Sequence, residues 1–355
     1  MPPDVRIHGF RIHNAVSSPG GLRGLFQKAG RKEIISESWE DTHVYVPSWR
    51  RAYRLSSSLV LKQVRESIRS YGQPDAILFT LPWYAGVAEA ISGVPKAYYA
   101  YDPYRFYDWG SDRIINLERK LLGHCDVGFG VARLLVEDLR RMGSTPVDYL
   151  PNATNWRPGE AKGEEKAAPD EAFQAVPRPR VGCVGQITAS GYDWSLIAHL
   201  STTFPAAHFV FIGPRAREKN PAPGVDAVFS RPNVHWIGSR PHSHLPAYLS
   251  QCDVLISPLL VNEHNDRRSL LRLYDYLTTD RPILSTAIAE ASSHAPFVSI
   301  ATDQDEFCRM LGEALALGCA PDLERRWDYI AANTWASRAR EFLKRVGTEV
   351  HEPAV

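Results

Sequence analysis

Short apolar runs alternate with amphipathic segments along nearly the whole chain. Runs of four to eight residues rich in Val, Ile, Phe and Tyr, each followed by a stretch with helical spacing, are the pattern of βα units and parallel sheets. In the first half this pattern predicts strands at Val5–Ile12, His43–Pro47, Asp75–Leu81, Lys96–Tyr101, Asp126–Val131 and Val147–Leu150. The helices between them fall at Leu55–Ser70, Tyr84–Ile91, Arg113–Leu122 and Ala132–Met142. Residues 156–179 then break the pattern. They are rich in Pro, Ala, Glu and Lys without sustained periodicity, and read as an interdomain linker.

The alternation restarts at residue 180. Strands are predicted at Arg180–Val184, His208–Ile212, Val234–Ile237, Asp253–Ser257, Pro282–Ser285 and Phe297–Ile300. Helices are predicted at Asp193–Thr202, Leu245–Ser250, Ser269–Thr278, Glu306–Leu317 and Leu323–Asn333, with a last amphipathic helix at Ser337–Val346. The expectation is an α/β protein of two doubly wound parallel-sheet domains facing a cleft: residues 1–155, a linker over 156–179, residues 180–334, and a terminal helix over 335–355 that returns to the first domain. In such sheets ligands bind beyond the carboxyl ends of the strands.

Composition narrows the picture. The 355 residues suit two domains, and 44% hydrophobic with 23% charged residues is ordinary for a globular chain. Lys plus Arg (41) nearly balances Asp plus Glu (40), which excludes the basic excess of a protein that coats nucleic acid. The cysteine count is odd and no pair has C-x-x-C spacing, as expected of free thiols in a reducing, cytoplasmic setting. The start of the chain carries no apolar signal segment, and no apolar run approaches a bilayer span, so membrane contact would be peripheral.

The candidate chemistry concentrates in the second half. Val181-Gly182-Cys183-Val184-Gly185 is a buried strand running into a glycine turn, and Phe209-Val210-Phe211-Ile212-Gly213 repeats the device. Then come Ile237-Gly238-Ser239-Arg240-Pro241 and Asp253-Val254-Leu255-Ile256-Ser257-Pro258. Last is Arg267-Arg268-Ser269-Leu270-Leu271-Arg272-Leu273-Tyr274-Asp275-Tyr276-Leu277. Glycine at a strand end lets a ligand approach the backbone. Arginines before and within the first turn of a helix oppose its macrodipole unless an anion is present, so Arg267, Arg268 and Arg272 are phosphate candidates.

In that order, over residues 180–290, these segments resemble the donor-binding domain of GT-B glycosyltransferases, which have two Rossmann-like domains. The first half agrees more loosely. Ser18-Pro19-Gly20-Gly21 is similar to the family's N-terminal glycine loop, Asn116–Phe129 to its helix and following strand, Leu150-Pro151-Asn152 to its L-P-N segment, and Trp335–Arg338 to the start of its returning helix. The match is nearest to bacterial polysaccharide and teichuronic-type sugar transferases and leaves Leu25–Ser48 unmatched. The resemblance implies a metal-independent hexosyltransferase that uses no cofactor and takes a nucleotide-diphosphate sugar, UDP-sugar first, as donor. Gly185, Gly213, Arg240 and Pro258 would line the nucleotide, Arg267, Arg268 and Arg272 would meet the phosphates, and Asp275, in place of the family's Glu, would hold the ribose. The alternative for Asp275 is an ion pair with Arg272, one helical turn earlier. Retaining members carry a second Glu where this chain has Arg267. Glu263 stands four residues too early, which leaves retaining and inverting chemistry both open.

In the first half, Asp102 follows a predicted strand and is either the base that deprotonates an acceptor hydroxyl or an Asx-Pro turn former. Around it lie Trp83, Tyr84, Tyr98, Tyr99, Tyr101, Tyr104, Phe106, Tyr107 and Trp109. Rings stack on sugar faces or pack in a core; Trp83 and Tyr104, with Gly20 and Gly21, are the acceptor-binding expectations, for a glycan or lipid-linked saccharide. Residues 49–69 hold six cations against Glu66 on an amphipathic helix, which either rests on anionic lipid at the inner face of a membrane or is a solvated helix packed on the sheet. The remaining readings are transfer to a modified nucleic-acid base, a nucleotide-sugar epimerase, and a non-catalytic bilobed sugar-binding protein. His242-x-His244 lacks a third metal ligand, and Asp303 with Glu306 reads as a capping box, so no metal is expected. Sequence is silent on oligomeric state.

Overall fold

The computed structural model describes residues 6–14, 32–36, 39–46, 52–107, 110–155, 168–216 and 224–347. The chain forms two compact units, one of residues 1–151 with 338–355 and one of residues 152–337.

The first unit holds two sheets. Strands β1 (Ile7–Asn14), β2 (Lys32–Ser36) and β3 (Trp39–Val46) form a mixed sheet in the order β1-β3-β2, with β1 parallel and β2 antiparallel to β3. The second sheet is parallel: β4 (Ile77–Phe79), β5 (Lys96–Ala100), β6 (Val127–Gly130) and β7 (Val147–Tyr149), side by side in sequence order. The helix Asp112–Leu122 buries Ile114, Glu118, Leu121 and Leu122, the spacing of one helical face. After Arg338 the last helix, Trp335–Arg345, packs on this unit. Its Phe342 ring lies 5.3 Å from Phe129, and Arg338 Nε donates to the Pro151 carbonyl at 3.1 Å.

The second unit is one parallel sheet of six strands: β8 (Arg180–Val184), β9 (His208–Ile212), β10 (Val234–Trp236), β11 (Val254–Ser257), β12 (Ile283–Thr286) and β13 (Ser299–Ala301). Their order is β10-β9-β8-β11-β12-β13. This is the doubly wound order in which the chain reverses direction across the sheet between its first and fourth strands. Strands β8, β11 and β12 are buried along their whole length, which is why they read as unbroken apolar runs rather than alternating ones.

Two departures from the sequence reading have physical causes. The described part of the expected linker contains a helix, Glu171–Gln174, capped by Asp170, with Phe173 fully buried in the second core. Four residues are too few to show a period. The antiparallel strand β2 was not anticipated; it is an edge strand with Ile34 and Ile35 both exposed, so it lacks the alternation of a half-buried strand. No helix among the described residues is long and apolar enough to cross a membrane.

Candidate functional site

In the second unit the strand ends beside the reversal point supply the site. Gly185 follows β8, Gly213 follows β9, and Pro258 follows β11. Gly185 and Gly213 both take positive φ, +139° and +150°. A Cβ on Gly213 would lie 2.0 Å from the Gly185 carbonyl oxygen, and one on Gly185 would lie 2.6 Å from Arg272 Nη2. Gly213 therefore requires glycine on conformation and on space, and Gly185 on conformation, with the Arg272 guanidinium resting where its side chain would go. The Gly213 N–H donates to the Gly238 carbonyl at 3.0 Å, so three glycines at the ends of β8, β9 and β10 lie side by side.

The helix Leu271–Leu277 brings Arg272 onto this glycine floor. Tyr276, one turn on and on the same face, bridges the two central strands. The Val184 N–H donates to its hydroxyl at 2.7 Å, and the hydroxyl donates to the Ile256 carbonyl at 3.3 Å. The other end of the helix is held by Arg326, fully buried, which donates to the carbonyls of Tyr276, Leu277 and Arg281 at 2.7–3.1 Å. The first two are carbonyls of the helix's last turn, where intrahelical partners run out. Burial pulls the Arg326 pKa down to about 10, still well above neutrality.

Arg272 itself is half-buried. Its guanidinium lies 5.1 Å from the centre of the Tyr192 ring and donates to Cys183 Sγ at 3.7 Å. Among the described residues no carboxylate lies within ion-pair distance of it. A cation held against backbone and aromatic surface without an acid is poised for an anionic ligand. Pro258 closes the same corner: its carbonyl accepts from the Asp193 N–H at 3.0 Å, beside Tyr192, which bridges to Leu259.

The other expected cations are used differently. The structure starts the helix at Leu271, so Arg267 and Arg268 lie ahead of it, on and after the turn Asn265–Arg267. Arg267 Nη1 donates to the Glu263 carbonyl at 3.0 Å, and Arg268 Nη1 reaches Asn265 Oδ1 at 3.4 Å. Arg240 is committed to the fold, pairing with Asp170 and donating to the Tyr248 hydroxyl at 3.2 Å. It thereby staples the Asp170 cap to the turn after β10 and holds the Asp170 carboxyl below the usual range.

Asp275 is buried, and neither open ribose binding nor a pair with Arg272 describes its contacts. Oδ1 accepts from Thr154 Oγ1 at 3.5 Å and Oδ2 faces His242 Nε2 at 3.4 Å. Burial raises its pKa, with the His242 contact opposing the rise. The same contact with Asp275 raises the pKa of His242 against burial. His242, Thr154, Tyr192 and Tyr276 were not anticipated as site residues. Tyr192 carries no motif, Tyr276 and Thr154 lie within matched segments without having been singled out, and His242 was visible only as half of a rejected metal pair.

In the first unit Asp102 follows β5 and is half-buried. Beside it Tyr101 is 42% exposed, its ring edge-on to Tyr104 at 5.7 Å. The two rings expected to meet an acceptor are instead core side chains. Tyr104 is buried and donates its hydroxyl to the Thr80 carbonyl at 2.6 Å, while Trp83 is 8% exposed within the first core. Neither presents an open ring face. Gly20, Gly21 and Trp109 lie outside the described residues. No group of three or more His, Cys, Asp or Glu side chains among the described residues is gathered where a metal ion could sit. Asp303 caps its helix, accepting from the Glu306 N–H at 2.8 Å, while Glu306 accepts from the Thr302 N–H at 2.8 Å, one residue before the cap, a variant of the expected capping box.

No protein-family model matches the chain. Among proteins of known name, it is 24% identical over 192 residues to TuaH of Bacillus subtilis (strain 168), whose name assigns it as a teichuronic acid biosynthesis glycosyltransferase. The alignment takes in 52% of this chain and 48% of that protein, about half the length of the relative. Solved structures match almost end to end. Sucrose-phosphate synthase of Thermosynechococcus elongatus covers 96% of this chain and 88% of its own, with 13% identity and a TM-score of 0.71. HepE of Anabaena, in complex with UDP and glucose, covers 96% and 100%, with 11% identity and a TM-score of 0.69. At such identity the likeness establishes the fold: mixed α/β with parallel sheets, two Rossmann-like units, the GT-B architecture.

Proposed function

We propose that this GT-B chain is a glycosyltransferase, moving a sugar from a nucleotide-diphosphate donor, UDP-sugar first, to a hydroxyl of a glycan or lipid-linked saccharide without a metal ion. The observation that carries the reading is Arg272, a half-buried guanidinium with no carboxylate in ion-pair reach among the described residues, set against the glycine floor at the reversal point of the second sheet. A diphosphate brings the charge this arrangement lacks, and neutralising it as it leaves is what a metal-independent transfer requires. Gly185, Gly213 and Pro258 line the nucleotide, with Arg267 and Arg268 at the border. Asp102 is the base that takes the acceptor's proton, beside the exposed ring of Tyr101. The relative named for teichuronic acid synthesis and the neighbour holding UDP and glucose support donor and acceptor class alike.

Calorimetric titration with UDP, GDP, TDP and ADP tests the donor site. One nucleoside diphosphate should bind, and Arg272→Ala should weaken it by about tenfold or more, the worth of one charge-assisted contact. Asp102→Asn should leave that affinity unchanged and slow transfer. Absence of binding to all four would overturn the reading.

The helix Tyr53–Tyr71 adds a membrane contact to the proposal. Its outer face sets Leu55 and Leu59, 55% and 36% exposed, among Arg54, Lys62, Arg65 and Arg69. Arg50 and Arg51 lie outside the described residues. Such a face suits anionic lipid, where a lipid-linked acceptor would reside. The protein should sediment with vesicles containing phosphatidylglycerol and less so with both leucines changed to Ser; equal sedimentation of the two forms would exclude this face.

A further inference from the structure

Asp275 poses a problem that its surroundings answer. A buried carboxylate needs partners, and its two oxygens face Thr154 and His242. The contrast in exposure across the second contact is large: 6% for the Asp275 side chain and 60% for that of His242. The acid is thus sealed in and the imidazole is turned outward.

The position of that imidazole is set by the strand ends. His242 opens the short turn His242–His244, four residues after Gly238, whose carbonyl is bonded to the Gly213 N–H. Arg272 lies against Gly185, next in the same row of glycines. Arg272 and Asp275 are one turn apart on one helix, so the helix that lays Arg272 on the floor also holds His242 through Asp275. One cation and one group able to become a cation are therefore tied to the same helix beside the row of glycines.

Resting on the donor-site reading above, we propose that His242 contacts the nucleoside diphosphate directly, donating to it from an imidazolium, and that Asp275 is a positioning residue which orients and charges His242 rather than touching the ligand. Among the described residues, the titratable and charged groups near His242 include Asp275, which faces it from the helix, and its sequence neighbours Arg240 and His244. Arg240 is already paired with Asp170. The Asp275 contact lifts the histidine above its ordinary value of 6.5. The protonated form therefore persists to higher pH than in an isolated imidazole, and its contribution to binding is lost as pH rises through that raised pKa.

The test is calorimetric titration of UDP-glucose from about pH 5.5 to about pH 8.5, the range in which an imidazole titrates. Each phosphorus of the ligand carries one ester, one anhydride and one strongly acidic oxygen, so the diphosphate keeps its charge throughout and the pH dependence expected here belongs to the protein. The parent should bind more weakly as pH rises. His242→Ala, a change at an exposed side chain with folding checked by its melting temperature, should bind about tenfold more weakly at the acid end and show a flattened profile. Asp275→Asn should bind like the parent at the acid end and lose affinity at lower pH than the parent does. If His242→Ala titrates like the parent, the proposal falls while Arg272 and the donor site stand. If Asp275→Asn weakens binding as much in the His242→Ala background as alone, Asp275 meets the ligand itself and the proposal falls as well. If UDP-, GDP-, TDP- and ADP-glucose all fail to bind the parent, with Arg272→Ala no different, the donor-site reading is overturned and this one with it.

Discussion

Glu118 in the first unit and Asp275 in the second are both buried carboxyl groups on helices, and burial raises the pKa of both. What they hold differs. Glu118 accepts the Tyr98 hydroxyl at 2.5 Å, and Tyr98 is wholly enclosed. Asp275 faces the outward-turned imidazole of His242. The first pair closes a core; the second carries a buried charge to the surface. The partner, and not the burial, separates the two acids. The same contrast runs through the rest of each unit. The first takes chemically suggestive side chains, Trp83 and Tyr104, into packing. The second leaves a cation with no acid in reach among the described residues and places Gly213 where nothing larger fits.

The largest effect that would break this contrast is at Trp83. As a core residue, Trp83→Ala should destabilise the first unit by about 3–5 kcal/mol, lowering its melting temperature by roughly 10 °C. Tyr101→Ala, at an exposed ring, should change stability by less than about 1 kcal/mol and raise the acceptor KM instead. Thermal melts of both variants with acceptor kinetics decide the matter. Should Trp83→Ala melt like the parent and lose acceptor affinity, the first unit has an aromatic platform after all and the contrast fails.

The fold was readable because the parallel strands are buried on both faces and therefore continuous in apolar residues; β8 and β11 are the clearest cases. Elements governed by other rules were not. Strand β2 is exposed at an edge, and the helices Glu171–Gln174 and Val225–Phe229 are too short for a period. Within the candidate site, Gly185, Gly213 and Arg272 were legible because strained glycines and a cation early in a helix break local rules. Arg240 broke the same kind of rule for another reason, since its partner Asp170 comes from a segment seventy residues earlier that looked like linker. His242, Tyr276 and Arg326 act through contacts to distant carbonyls, amides and acids, and no spacing in the sequence announces such pairs. His242 was seen, but only as a metal candidate; its actual partner is on another element.

The smaller and sharper test returns to the two acids. Burial is the main cause of the raised pKa of Glu118, about 7 against an ordinary 4.5, with the Tyr98 hydroxyl and Arg105 opposing it. An acid whose folded pKa is raised keeps its proton in the folded state where the unfolded chain has lost it. Stability of the first unit should therefore fall as pH climbs from about 4.5 toward about 7, and level off above that. Glu118→Gln keeps an acceptor for the Tyr98 hydroxyl and removes the charge. It should abolish this slope and leave the unit more stable than the parent at alkaline pH by on the order of 2 kcal/mol. Denaturant unfolding across that range measures it. UDP-glucose affinity should be unchanged by Glu118→Gln at every pH, whereas Asp275→Asn should move the pH dependence of binding. If instead Glu118→Gln alters nucleotide binding, the enclosed acid also reaches a ligand, and the nature of the partner no longer separates the two units.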